Sequence, residues 1–124
     1  MRLALSLLLA ALAAPLQAQA PQPSVRLLVQ SSPLAGYRHA QAAAVWPLLA
    51  PGDELELSRE PDNAHDGNAV RVAWRGRKLG YVPRAENAAL AWAMDRGERV
   101  TGRISRLQAH PNPRLRIEFE VLVE

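Results

Sequence analysis

"RLRIEFEVLVE", residues 114–124, alternates in character with a period of two. Leu115, Ile117, Phe119, Val121 and Val123 fall on one face, and Arg116, Glu118, Glu120, Leu122 and Glu124 on the other. Successive side chains of an extended chain point to opposite sides, so this run predicts an antiparallel strand with one face buried. The run before it, "ERVTGRISRL" at 98–107, alternates likewise, with Val100 and Ile104 inward and Arg99, Thr101 and Arg103 outward. "HPNP" at 110–113 supplies turn residues between the two, which predicts a hairpin.

The same reading extends upstream. "DELELSR" at 53–59 sets Leu55 and Leu57 on one face, and "AVRVAW" at 69–74 does so with Val70, Val72 and Trp74. Gly76 in "RGRK" turns the chain into a short strand, "LGYV" at 79–82. An opening strand, "VRLLVQS" at 25–31, breaks near Pro33 and resumes at "AGYRH", 35–39. A short helical turn is expected over 43–49, stopped by Pro51 and Gly52. "PRAENAALAWAMDRG" at 83–97 predicts one helix, with Pro83 and Glu86 in its first turn, Arg96 in its last and Gly97 as C-cap. Leu90, Ala93 and Met94 are expected toward the core, with Trp46 and Trp92 as packing residues. Some six short strands with one or two helices predict a mainly β domain, a small OB-like or SH3-like barrel.

The N-terminus reads differently. In "MRLALSLLLAALAAPLQAQA", Arg2 precedes an apolar run from Leu3 to Ala14, and small residues follow at Ala18 and Ala20. That is the layout of a secretory signal peptide, and the run is shorter than the ~20 residues a membrane span needs. The expectation is a signal peptide over 1–18, cleaved near Ala18 or Ala20, then a flexible tail over 19–24 and one domain over 25–124. The product would be periplasmic or secreted, with no membrane span left.

The chain has no cysteine, which excludes thiol chemistry, disulfides and cysteine-based zinc sites. The formal net charge is +3, and Lys78 is the only lysine among 15 basic residues. So small a charge does not by itself argue for nucleic acid. Arg71, Arg75, Arg77, Lys78 and Arg84 form a basic cluster that suits either a solvated face or a phosphate-tracking surface. Neither a Walker-type glycine loop nor a Gly-x-Ser-x-Gly motif occurs.

The connection between the strands at 53–59 and 69–74 is long and polar for a hairpin loop, which needs about 2–5 residues. It holds Asp62, Asn63, His65, Asp66, Gly67 and Asn68. Asp and Asn side chains bond nearby backbone N–H groups, so turn scaffolding explains Asp62, Asn63, Gly67 and Asn68. It explains His65 and Asp66 less well. His65 with Asp62 or Asp66, and with His39 and His110 at a distance, offers metal ligands without a recognised spacing. His65 beside Asp66 could also serve as an acid–base pair, although neighbours on extended chain point apart. No stoichiometric metal is expected.

Three blocks in order, "AGYRHAQ" at 35–41, "PGDELELSREPDNAHDGNAVRV" at 51–72 and "GRKLGYVPRAENAALA" at 76–91, resemble the HIRAN domain. The resemblance implies an OB-like barrel. In eukaryotic replication-fork remodellers such a domain accompanies a SNF2-type ATPase and captures the 3′-hydroxyl end of single-stranded DNA. No ATPase or RING segment is present here, so no hydrolase or zinc activity is carried over. The resemblance assigns Arg38 to a basic residue near nucleic acid, Asn63 to a loop amide and Asp66 to the carboxylate that accepts the 3′-hydroxyl. His39 and His65 stand where the DNA-capturing members have base-stacking tyrosines, Tyr81 where they have a histidine, and Arg84 where they have a lysine.

The resulting expectation is a non-enzymatic, exported binding module for single-stranded nucleic-acid 3′ ends, single-stranded DNA among them, without cofactors. Its nucleic-acid-binding residues are Arg38, His39, Asn63, His65, Asp66, Tyr81 and Arg84. The rival reading is a cell-envelope structural or protein-interaction domain. A weaker rival is a zinc-binding or metal-dependent hydrolytic site around His65.

Overall fold

The computed structural model describes residues 10, 11, 13 and 25–124. Apart from those three alanines, the expected signal peptide and tail lie outside the described residues. The domain forms six strands, β1 (Leu27–Pro33), β2 (Glu54–Arg59), β3 (Val70–Trp74), β4 (Arg77–Tyr81), β5 (Val100–Leu107) and β6 (Ile117–Val123). Two short helices, α1 (Ala42–Val45) and α2 (Ala88–Asp95), complete the mainly β architecture. All strand pairs are antiparallel, in the order β1-β6-β5-β2-β3-β4.

The alternation that predicts β6 also builds the core. Ile117, Phe119 and Val121 are buried and pack in one cluster with Leu55, Val70, Val72, Leu79 and Ile104. Each such side chain contributes roughly 1.5–3 kcal/mol over leaving it in water. Two residues depart from the pattern. Leu115 is 53% exposed, because Pro113–Leu115 form a 3-10 turn capped by the Asn112 side chain and the strand starts only at Ile117. Leu122, assigned to the wet face, is buried; its neighbours across the sheet are Leu28 of β1 and Thr101 of β5.

Among the described residues a single β-bridge joins the two ends of the sheet. β1 and β4 are the two ends of the sheet, which curls until Ala35, just past β1, meets Tyr81 of β4. Ala35 N–H donates to the Tyr81 carbonyl at 2.9 Å, and Tyr81 N–H returns the bond at 2.8 Å. Among the described residues no continuous ladder links β1 to β4, so the OB-like fold is an open barrel pinned by this bridge. Gly80 makes the approach possible: a Cβ there would lie 2.1 Å from the Ala35 oxygen.

Beyond the bridge the expected strand at 35–39 does not form. Gly36 adopts φ 76°, a left-handed conformation open to glycine at little cost, and Tyr37–His39 wind into a 3-10 helix. Tyr37 enters the core and meets Trp46 edge-on at 6.3 Å, which leaves Arg38 and His39 exposed.

The expected helix at 83–97 is two pieces. Pro83 opens a 3-10 turn at Arg84–Glu86, Asn87 interrupts, and α2 follows. It ends at Gly97 (φ 89°), whose N–H donates to the Met94 carbonyl while Glu98 N–H donates to that of Ala93. Leu90 and Ala93 face the core as expected and Met94 packs against it in part. Trp92 is 66% exposed instead of packed, because Leu90, Ala91 and Ala93 occupy the buried arc. No helix among the described residues is long and apolar enough to cross a membrane.

Candidate functional site

The β2–β3 connection is held at its base by Arg59. The guanidinium donates to the carbonyls of Ala69 (2.8 Å) and Gly67 (2.9 Å) and pairs with Asp95 of α2 at 3.0 Å. Within the loop, Asn63 Oδ1 accepts the N–H groups of His65 (2.9 Å) and Asp66 (3.2 Å). Asp66 Oδ1 then accepts the Asn68 N–H at 2.9 Å. Both are side chains folding their own backbone. Asn63 is thus a scaffold residue as expected, Asp66 is one although turn chemistry explains it less well, and Asp62 and Asn68 do not contribute side-chain bonds to it. Among the described residues the side chains of those two make no hydrogen bond.

Asp66 has a second tie. Its Oδ2 accepts the Asn87 amide at 2.7 Å, and Asn87, 2% exposed, sits where the 3-10 turn meets α2. The N–H of Asn68 first, then the Asn87 amide, with smaller help from the Arg84 and Arg59 charges, outweigh desolvation and hold the Asp66 carboxyl below its ordinary value. Glu60, at the head of the loop, accepts the Tyr81 hydroxyl at 2.8 Å and the Asn63 amide at 3.1 Å. Lys78 Nζ donates to the Tyr81 oxygen at 2.6 Å and lies 4.3 Å from the ring centre. Burial raises the Glu60 carboxyl, but the bonds from Tyr81 and Asn63 and the charges of Lys78 and Arg71 together bring it below the usual range.

These groups surround a cleft of about 540 Å³ beside the closing bridge. His39, Asn63, His65, Asp66, Tyr81 and Arg84 line it, and so do Lys78 and Asn87. Arg38 instead lines a neighbouring cleft. The imidazoles of His39 and His65 are exposed, and among the described residues neither makes a side-chain hydrogen bond. Two polar wall residues, Asn87 and Lys78, were not in the predicted site. Lys78 was legible only as one of five basic residues. Asn87 had one signal, an amide inside an otherwise helical run. Among the described residues no three His, Cys, Asp or Glu side chains gather as a metal site.

The cleft can do three things at once. It offers an ionised carboxylate as a fixed hydrogen-bond acceptor, cations on its walls, and imidazole and phenol rings at its mouth. An ionised carboxylate accepts only, so a hydroxyl or amide N–H suits Asp66 and a phosphate does not.

The comparisons with known proteins agree with this fold. A protein from Lactobacillus plantarum of known structure is 27% identical, with a TM-score of 0.71 over 80% of this chain and 95% of that one. The HIRAN domain of human HLTF is 20% identical, with a TM-score of 0.61 over 79% of this chain and 78% of that one. No protein with a curated description matches. The family model of the HIRAN domain matches residues 27–124, and the chain therefore belongs to the HIRAN domain family.

Proposed function

We propose that this chain is a non-enzymatic module that receives the 3′-hydroxyl end of a nucleic-acid single strand in the cleft beside the closing bridge. Membership of a family of nucleic-acid-binding domains supports the coarse reading. The observation that carries the finer one is Asp66, whose carboxylate is kept ionised and aimed by Asn68 and Asn87, inside a cleft whose wall includes Arg84. Each carboxylate oxygen has two acceptor sites, so each can still take a donor from a ligand. His39 and His65 present exposed rings for bases, Tyr81 adds a half-buried ring with Lys78 over it, and base–aromatic stacking tolerates any sequence. The test is a binding survey of the purified protein against single-stranded DNA, single-stranded RNA and duplex, at low and at physiological salt. Single strands should bind best, and more weakly as salt rises. Equal binding of duplex and single strand would contradict the reading.

The rival, a protein-interaction domain, is favoured by one observation. β1 forms one end of the sheet, and Leu27, Leu28 and Val29 on it are each more than half exposed. On that reading nucleic acid would not bind.

Export is part of the proposal. Residues 1–18 are proposed as a cleaved signal peptide, supported by Arg2 and the apolar run after it. N-terminal sequencing of the protein from its native host should begin at Gln19 or Pro21. An intact Met1 on cytoplasmic protein would refute it.

A further inference from the structure

Asp66 stands directly before Gly67, and no other aspartate or asparagine of the chain is followed by glycine. That pair has a chemistry of its own. The backbone nitrogen of the following residue can attack the carboxyl carbon of an aspartate and close a five-membered imide. Glycine allows this best, because no Cβ obstructs the approach.

The two reacting groups share one turn. Asp66 Oδ1 accepts the Asn68 N–H at 2.9 Å, and the Asp66 carbonyl accepts that of Ala69 at 3.1 Å. The carboxyl is thus folded forward over Gly67, which lies between. The nucleophile is open. Gly67 is exposed, a Cβ on it would meet nothing within 4 Å, and among the described residues its N–H makes no hydrogen bond. Only its carbonyl is held, by Arg59 at 2.9 Å. The carboxyl, in contrast, is restrained. Its second oxygen accepts the amide of buried Asn87 at 2.7 Å. With both oxygens pinned, the carboxyl plane is not free to turn its face to the Gly67 nitrogen. An ionised carboxylate is also a poor electrophile, and the bonds from Asn68 and Asn87 keep Asp66 ionised.

We infer that the Asp66–Gly67 linkage is a self-modification site, where the chain isomerises to isoaspartate, and that the Asn87 amide is the latch that holds the reaction back. The Gly67 nitrogen forms a bond to Asp66 Cγ, and the carboxyl hydroxyl leaves with the amide proton as water. Water then opens the imide, at Cγ to return aspartate or at the Asp66 backbone carbonyl carbon to give isoaspartate. No oxidant or cofactor takes part. In the product the chain runs through the β-carbon and is one atom longer, and the carboxylate sits on the α-carbon. Asn68 and Asn87 lose their acceptor, so the β2–β3 loop parts from α2 and the cleft loses its carboxylate. The inference does not depend on what the cleft binds.

The experiment stores the purified protein at neutral pH for several weeks and reads isoaspartate at residue 66 in the tryptic peptide 60–71 by electron-transfer fragmentation. The synthetic peptide 60–71 is the unlatched reference. Wild type should convert at residue 66 before any other aspartate or asparagine, and about tenfold more slowly than the free peptide, the order for two hydrogen bonds. Asn87→Ala should convert about two- to tenfold faster than wild type, the factor for one. Gly67→Ala should all but stop the reaction, since its Cβ hinders ring closure. The loop accepts that methyl, because the space is open and the Gly67 φ lies outside the left-handed range. Ile104→Val, a core change of similar cost outside the loop, should convert at the wild-type rate. If it speeds conversion as much as Asn87→Ala does, unfolding is the route and the inference falls. It falls too if wild type keeps pace with the peptide, if Asn87→Ala gains nothing, if Gly67→Ala converts as fast as wild type, or if another position converts first.

Discussion

The amide of Asn87 and the carboxylate of Asp66 meet at 2.7 Å, and that bond fastens the β2–β3 loop to the start of α2. One partner is buried and the other faces the cleft, so fold and site share a hydrogen bond. Asp66 is therefore not a free ligand group on an independent scaffold. Its replacement by alanine removes two loop bonds as well as the acceptor.

Asn87→Ala should lower unfolding free energy by about 0.5–1.5 kcal/mol, the usual net contribution of one hydrogen bond, since the Asp66 carboxylate left behind can turn to water. Urea denaturation measures it. Asn87→Asp should cost more at neutral pH, where two carboxylates would meet, and part of the loss should return on acidification. A change within experimental error for Asn87→Ala would mean that the loop does not depend on α2.

Gly80→Ala tests the closing bridge. The added methyl would stand 2.1 Å from the Ala35 oxygen, which is backbone and cannot rotate away. Separation of Ala35 from Tyr81 is expected, with a loss of about 1–3 kcal/mol or more as for other overpacked sites. Ligand binding should fall with it, since Ala35, Gly36, His39 and Tyr81 are walls of the same cleft. Full stability in Gly80→Ala would show that the bridge is dispensable.

Acid should unfold the protein in a way that depends on two named groups. Glu60 and Asp66 ionise below their ordinary values of 4.5 and 3.8 in the folded chain. A carboxyl more acidic when folded stabilises the fold above its unfolded value, and that contribution is lost as pH falls through the depressed folded value. The thermal midpoint should thus drop on acidification below those ordinary values. Glu60→Gln with Asp66→Asn should flatten that drop while lowering the midpoint at neutral pH. An identical pH profile in wild type and double variant would contradict the assignment.

The sequence made the strands legible because their cores are period-two runs. Ile117, Phe119 and Val121 had no other regular structure to serve. Leu115 was misplaced because alternation continues through a turn as readily as through a strand. The register of closure was not legible, because Gly80 and Ala35 carry no hydrophobic signal and meet only in three dimensions. In the loop, the residue types announced turn bonds but not their owners. Turn chemistry favours Asp62 over Asp66 on paper, and the structure reverses it: Asp66 takes the Asn68 N–H and the amide of Asn87, 21 residues on. Lys78 and Tyr81 were visible separately, but their link to Glu60 depends on β4 lying beside the loop.

His65 is the place to gain function. It is exposed, and among the described residues its ring has no partner. A tyrosine there offers a larger ring face at no cost to loop bonds, which use only the His65 backbone. His65→Tyr should therefore tighten single-strand binding by about three- to tenfold, a modest share of what one stacked base contributes. The thermal midpoint should not move. Unchanged or weaker binding would place the bases elsewhere.

The central claim is that Asp66 receives a terminal hydroxyl, and one comparison reads it directly. Fluorescence anisotropy is measured for one single-stranded sequence with a 3′-hydroxyl, with a 3′-phosphate and as a closed circle. The 3′-hydroxyl strand should bind about ten- to a hundredfold more tightly than the other two, since a charge-assisted bond is lost and phosphate meets Asp66 as a like charge. Asp66→Asn, which keeps an Oδ1 acceptor for the Asn68 N–H, should remove most of that preference. Equal binding of all three strands would show that the chain has the family's fold without capture of strand ends.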